Sequence, residues 1–177
     1  MKSSWISLHN SVFPVVKAFY EGDKKRSEFH DDFDLRNYQI PLLHSMKRVV
    51  VALIWKNGTV LICQRTKHQT MPLKWEFPGG KIEEGEQPRD ALRRELDEEL
   101  GIAAVVGDEV SRFRHEYPNG NAVELRFYDV REFGGELQNR IFKEIRWAAP
   151  AELPTYDFLE ADLTLVKDIA EGKLGRR

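Results

Sequence analysis

The sequence predicts an α/β domain, and three observations carry that expectation: two strand pairs closed by turn signals, a glutamate-rich amphipathic helix between them, and a second helix near the carboxyl end. A chain of 177 residues with 41% hydrophobic content holds one such domain with a sizeable core. Residues 48–55 form an apolar run, Asn57-Gly58 signals a tight turn, and residues 59–63 return as a second strand. A Pro/Gly-rich stretch occupies residues 71–85. A helix then opens near Gln87, where Pro88 suits the first turn, and runs to Leu100 with Gly101 as its stop. Residues 105–117 and 123–133 alternate or cluster apolar side chains around Pro118-Asn119-Gly120, a second hairpin. Ile145-Arg146-Trp147 reads as a short strand, and residues 161–170 as a closing helix with a period near four.

Two segments divide the chain, an extension over residues 1–45 and a domain over 46–177. The extension mixes Trp5, Phe13, Phe19 and Tyr20 with polar residues and a charged stretch from Glu21 to Arg36, without a clean period beyond a short helix over 8–20. A structural arm without chemistry is the favoured reading; a dimer element and the remnant of a longer ancestral chain stay open, as does the choice between monomer and homodimer. Lys plus Arg number 27 against 29 Asp plus Glu, so the net charge of −2 gives no reason to expect a broad surface for duplex nucleic acid or membrane. Cys63 stands alone, which excludes an intrachain disulfide or a Cys-based zinc site. With no signal segment and no long apolar run, a soluble cytoplasmic protein is expected.

Chemistry concentrates on the first helix. With Leu92 set at zero, Leu96 and Leu100 fall at about 40° and 80° and make the apolar stripe. Glu99, Glu95 and Glu98 fall at about −20°, −60° and −120°, beside that stripe, while Asp90, Arg94 and Asp97 take the far, solvated side. A merely solvated charge run would lie away from the leucines, whereas Glu99 lies next to Leu92. Three unpaired carboxylates so close raise one another's pKa and resist burial, so a stable arrangement wants a multivalent cation or matching basic groups. Oxygen donors with no His or Cys nearby favour Mg²⁺, with Mn²⁺ as the alternative, over zinc. The five histidines, His9, His30, His44, His68 and His115, share no ligand spacing.

Gly80, five residues, Glu86, seven residues, and then Arg94-Glu95-Leu96-Asp97-Glu98-Glu99-Leu100-Gly101-Ile102 resembles a complete Nudix box. Seven specified and two aliphatic positions coincide by chance on the order of once in 10⁹ windows. The resemblance covers about residues 46–173 and implies an α/β/α sandwich with a mixed sheet. It implies Glu95, Glu98 and Glu99 as Mg²⁺ ligands, with one of them also able to orient the attacking water, and Gly80 as a backbone-carbonyl ligand. Arg94 and Glu86 become supports that hold the box carboxylates in orientation. The implied reaction is metal-assisted hydrolysis of a phosphoanhydride, without a covalent protein intermediate.

Leu73-Lys74-Trp75-Glu76-Phe77-Pro78-Gly79-Gly80-Lys81-Ile82-Glu83 is similar to the MutT-like branch, which implies nucleoside triphosphates, often with oxidised or methylated bases, as substrates cleaved to monophosphate and pyrophosphate. Arg65 stands where that branch places a basic residue near the nucleotide. Asp162 resembles the Asn or Asp that hydrogen-bonds the base, and Phe77 is a pocket-wall or stacking residue; helix capping by Asp162 and a core position for Phe77 are the plainer readings. Asp in place of Asn leaves oxidised guanine and modified cytosine both open. A further catalytic carboxylate would come from near Glu144 or Glu136. Pro118, 16 residues past Ile102, matches a spacing of ADP-ribose hydrolases and equally an ordinary hairpin turn. The alternatives are therefore a pyrophosphatase of ADP-ribose, nucleotide sugars or dinucleotides, and a catalytically idle Nudix-fold module that binds nucleotides or a protein.

Overall fold

Strand β1 (Lys47–Lys56) sets the architecture, because its apolar run is buried on both faces. Val51, Leu53 and Trp55 pack in one core with Phe127, Leu165 and Ile169; Val50, Ala52 and Ile54 pack in another with Leu92, Leu96 and Leu100. The alternation of side chains along one strand thus feeds a helical layer on each side, and the expected α/β/α sandwich is what this computed structural model contains. The described residues are 46–174, so the extension and the helix expected over 8–20 lie outside them.

After β1 come β2 (Thr59–Gln64), β3 (Trp75–Glu76), β4 (Gly79–Lys81), α1 (Pro88–Leu100), β5 (Ala103–Glu116), β6 (Ala122–Gly134), β7 (Glu144–Ala148) and α2 (Leu163–Ala170). The sheet is mixed: β1 runs parallel to β6 and antiparallel to β4, and β5 is antiparallel to β6. Strand β2 carries β3 and β7 on its two sides, both antiparallel. Asn57 and Gly58, with φ of 51° and 77°, make the expected tight turn between the register pairs Trp55↔Val60 and Lys56↔Thr59. Beyond it the two strands part, because β4 occupies the edge of β1 at Val49–Val51 and β6 occupies the other.

Helix α1 has the expected bounds and ends on Gly101, whose φ of 67° favours glycine. Its last carbonyls are answered from outside the helix: Gln138 N–H donates to Leu100 O at 2.9 Å, Arg140 N–H to Glu99 O at 3.0 Å, and Arg140 Nη1 to Asp97 O at 2.5 Å. Those bonds fix the turn that carries Glu98 and Glu99. The closing helix begins later than expected, since Glu160–Asp162 forms a 3₁₀ turn and α2 starts at Leu163. Another 3₁₀ turn, Pro150–Thr155, and the short strands β3 and β4 within the Pro/Gly-rich stretch have no counterpart in the sequence reading. No helix among the described residues is long and apolar enough to cross a membrane.

Candidate active site

Packing the leucine stripe of α1 on the sheet turns the acidic flank of the helix toward β4. Exposure follows the helical wheel: Glu99 is 9% exposed, the Glu95 side chain 16% and the Glu98 side chain 60%. Glu99 accepts a hydrogen bond from Gly79 N–H at 3.1 Å, and its pKa is pushed up to about 8, first by burial and then by the negative charges of Glu76 and Glu95. The paired glycines of β4 make this approach feasible. A Cβ on Gly79 would overlap the Val50 carbonyl, and one on Gly80 would land on the Glu95 carboxylate.

Arg94 departs from its place on the solvated side of the wheel. The loop after β4 folds over that flank, and the half-buried guanidinium reaches back to it. Its Nε and Nη2 donate to the two oxygens of Glu86, each at 3.0 Å; Nη1 donates to Glu95 at 2.9 Å and stands 3.5 Å from Glu98. Arg94 thereby ties three carboxylates to one rigid fork, and its hydrogen bonds hold Glu86 below the usual carboxylate range.

Glu95, Glu98, Glu99, Gly79 and Gly80 line one end of a cavity of about 690 Å³. Arg65, Glu76, Phe77, Tyr117 and Asp162 line the rest, so Arg65, Phe77 and Asp162 share one hollow with the box residues. Such a volume suits a small molecule. Asp162 is 3% exposed and does not cap α2; burial, and after it the Glu76 charge, pushes its carboxyl pKa up to about 8. Arg65 is ion-paired with Glu76 at 2.6 Å. Phe77 is a core residue, 3% exposed and 5.3 Å from the Phe158 ring, whose edge also forms cavity wall. Glu144 bonds Arg146 and Glu136 is exposed, and neither lines the cavity; the carboxylates that do so outside the helix and Asp162 are Glu76 and Glu83. Glu76 is the residue the sequence reading passed over, although its place between buried Trp75 and Phe77 is the alternation of a strand. Pro118 sits in the β5–β6 turn, where Gly120 N–H donates to Tyr117 O at 2.9 Å.

Every donor at the box end is an oxygen, a set suited to a hard divalent cation. Among the described residues no three of these carboxylates converge on one point: Glu95 is held by Arg94, Glu99 by Gly79 and Glu98 is exposed. The donor chemistry, the desolvated Glu99 and the cradle that a Gly80 side chain would fill together fit such an ion. The model of the NUDIX domain matches residues 45–168, over two-thirds of the chain. The chain belongs to the Nudix family. This Nudix hydrolase is 38% identical over 122 residues to the CTP pyrophosphohydrolase of Escherichia coli, covering 69% of this chain and 90% of that protein. It is also 38% identical over 109 residues to the 8-oxo-dGTP diphosphatase of Haemophilus influenzae, covering 62% and 79%. A solved structure from work on MutT of Aliivibrio salmonicida and Vibrio cholerae superposes with a TM-score of 0.62 at 29% identity, covering 72% of this chain and 98% of that one. The Nudix hydrolase is thus an enzyme of the MutT-like branch, and Nudix hydrolases use divalent metal ions.

Proposed function

We propose that this chain is a Mg²⁺-dependent hydrolase that converts a nucleoside triphosphate with a modified base, such as 8-oxo-dGTP or a modified dCTP, to its monophosphate and pyrophosphate. One observation carries the reading: a single cavity joins the box carboxylates to a buried, uncapped Asp162. In this reading Glu95, Glu98, Glu99 and the Gly80 carbonyl hold the ion, which when bound neutralises polyphosphate oxygens and lowers the pKa of water. Arg94 keeps Glu95 and Glu98 in orientation through its bonds to Glu86 and the Lys81 carbonyl. Asp162 hydrogen-bonds the base at the enclosed end, Phe77 supplies apolar wall there, and Arg65 offers its positive charge between the two ends. The names of the relatives, one acting on CTP and one on 8-oxo-dGTP, support the pairing of substrate types.

A turnover screen over normal, oxidised and methylated nucleoside triphosphates, nucleotide sugars and dinucleotides, with and without Mg²⁺, tests the proposal. Mg²⁺-dependent pyrophosphate release, fastest on a modified base, is expected. AMP and ribose phosphate from ADP-ribose as the main reaction, or binding without turnover, would overturn it.

A further inference from the structure

Between the box end and Asp162 the cavity wall is made by Glu76 and Arg65. Glu76 lies close enough to both ends for its charge to bear on Glu99 and on Asp162, which places it midway along the cavity. One of its oxygens, Oε2, accepts from Arg65 Nη1 at 2.6 Å. The other has no protein donor among the described residues, although the side chain is only 16% exposed. Arg65 is likewise under-used: its Nε is buried without an acceptor. A protein interior seldom leaves acceptor and donor capacity idle side by side, since each unsatisfied group costs on the order of 1–3 kcal/mol. The sequence neighbours of Glu76 explain why it is held there. Trp75 and Phe77 are both buried in the core that reaches α2, and β3 pairs Glu76 with Cys63 of β2, so the carboxylate has little freedom to turn outward.

With a base at Asp162 and phosphates at Glu95, Glu98 and Glu99, the group that falls opposite Glu76 is the sugar. This step rests on the function proposed above. A sugar hydroxyl both donates and accepts, which matches a carboxylate oxygen without a donor beside a guanidinium with donors to spare. We propose that Glu76, positioned by its ion pair with Arg65, forms a hydroxyl-recognition site for the sugar of the nucleotide. Glu76 accepts the hydroxyl proton in a hydrogen bond, the guanidinium fixes the carboxylate plane, and no bond is made or broken. The site aligns the substrate between its two ends and disfavours a ligand that lacks the hydroxyl, because such a ligand leaves a desolvated carboxylate oxygen unpaired.

The test compares ribo-, 2′-deoxy- and 2′,3′-dideoxynucleoside triphosphates of one base in the wild type, Glu76→Ala and Glu76→Gln, reading kcat/KM for each sugar together with thermal unfolding. Wild type is expected to lose roughly ten- to a hundredfold when the recognised hydroxyl is removed. The ribo-to-deoxy and deoxy-to-dideoxy steps identify which hydroxyl that is. Glu76→Ala should shrink that ratio to within about threefold, and Glu76→Gln, which keeps an acceptor oxygen and guards against misfolding of the alanine variant, should retain part of it. A purely structural Glu76 would lower stability or overall rate and leave the ratio untouched. Equal kcat/KM on all three sugars in wild type, or an unchanged ratio in Glu76→Ala, overturns the inference while leaving the proposed reaction standing. Absence of pyrophosphate release from every sugar overturns that reaction, and this inference with it.

Discussion

Replacing Asp162 by Asn removes an ionisable group from the most enclosed end of the cavity and keeps its shape, with one donor and one acceptor function still present. Burial and the Glu76 carboxylate let the folded chain hold the Asp162 proton up to about pH 8, against an ordinary value of 3.8. Between those values the folded state binds one more proton than the unfolded state. Stability of the wild type therefore falls as pH rises from about 4 to about 8 and levels off above, because ionisation is free in the unfolded chain and opposed in the folded one. Each pH unit in the window is worth about 1.4 kcal/mol, which sets an upper bound on the order of 5–6 kcal/mol. Water admitted by the adjoining cavity lowers the penalty. Asp162→Asn is expected to be more stable than wild type by about 2–4 kcal/mol at pH 8, roughly 6–12 °C in Tm, and equal to it near pH 4. Unfolding of both proteins by heat and by urea at intervals from about pH 4 to pH 9 measures this. A difference that stays constant with pH, or a wild type that is the more stable at pH 8, would refute the reasoning.

Three further substitutions have expected outcomes. Glu98→Gln should lower turnover by at least about a hundredfold, while unfolding changes by less than about 0.5 kcal/mol because the side chain is 60% exposed; full activity would remove Glu98 from the metal site. Gly80→Ala pushes a methyl group onto the Glu95 carboxylate. Rate should fall on the order of a hundredfold, and isothermal titration with Mn²⁺ should show weakened binding. Glu109 accepts from Arg112 at 2.7 Å, from Tyr128 at 3.1 Å and from Arg126, and these bonds hold its pKa at about 2. The stabilisation is complete above an unfolded value of 4.5 and vanishes as pH falls toward 2. Glu109→Gln should thus cost about 1–3 kcal/mol at neutral pH and converge with wild type in acid, as followed by circular dichroism.

The elements most legible in the sequence are those whose signals are local. Pro88 and Gly101 mark the ends of α1, and Asn57-Gly58 marks a turn, because each fixes a backbone angle whatever lies around it. The order of exposure of Glu99, Glu95 and Glu98 also follows from helix geometry and the position of the leucines. Strands β3 and β4 were not legible, since segments of two and three residues have no periodicity of their own and exist through their pairing with β2 and β1. The same limit hid Glu76, whose significance comes from Arg65 across the strand pair. Arg94 was placed in solvent because a wheel describes one helix and cannot contain the loop that Glu86 brings over it.

Gly79 and Gly80 of β4 stand at the rim between the two faces of the sheet: one side meets Glu95 and Glu99 on α1, and the other opens on the valines and leucine that lead to Asp162. Bond cleavage and ligand choice are therefore lodged in separate cores, joined only across that rim. Drift in Arg65, Glu76 or Asp162 can redirect the enzyme to another nucleotide while α1 keeps its packing, so new selectivities are reachable by single steps that leave the catalytic apparatus inherited intact.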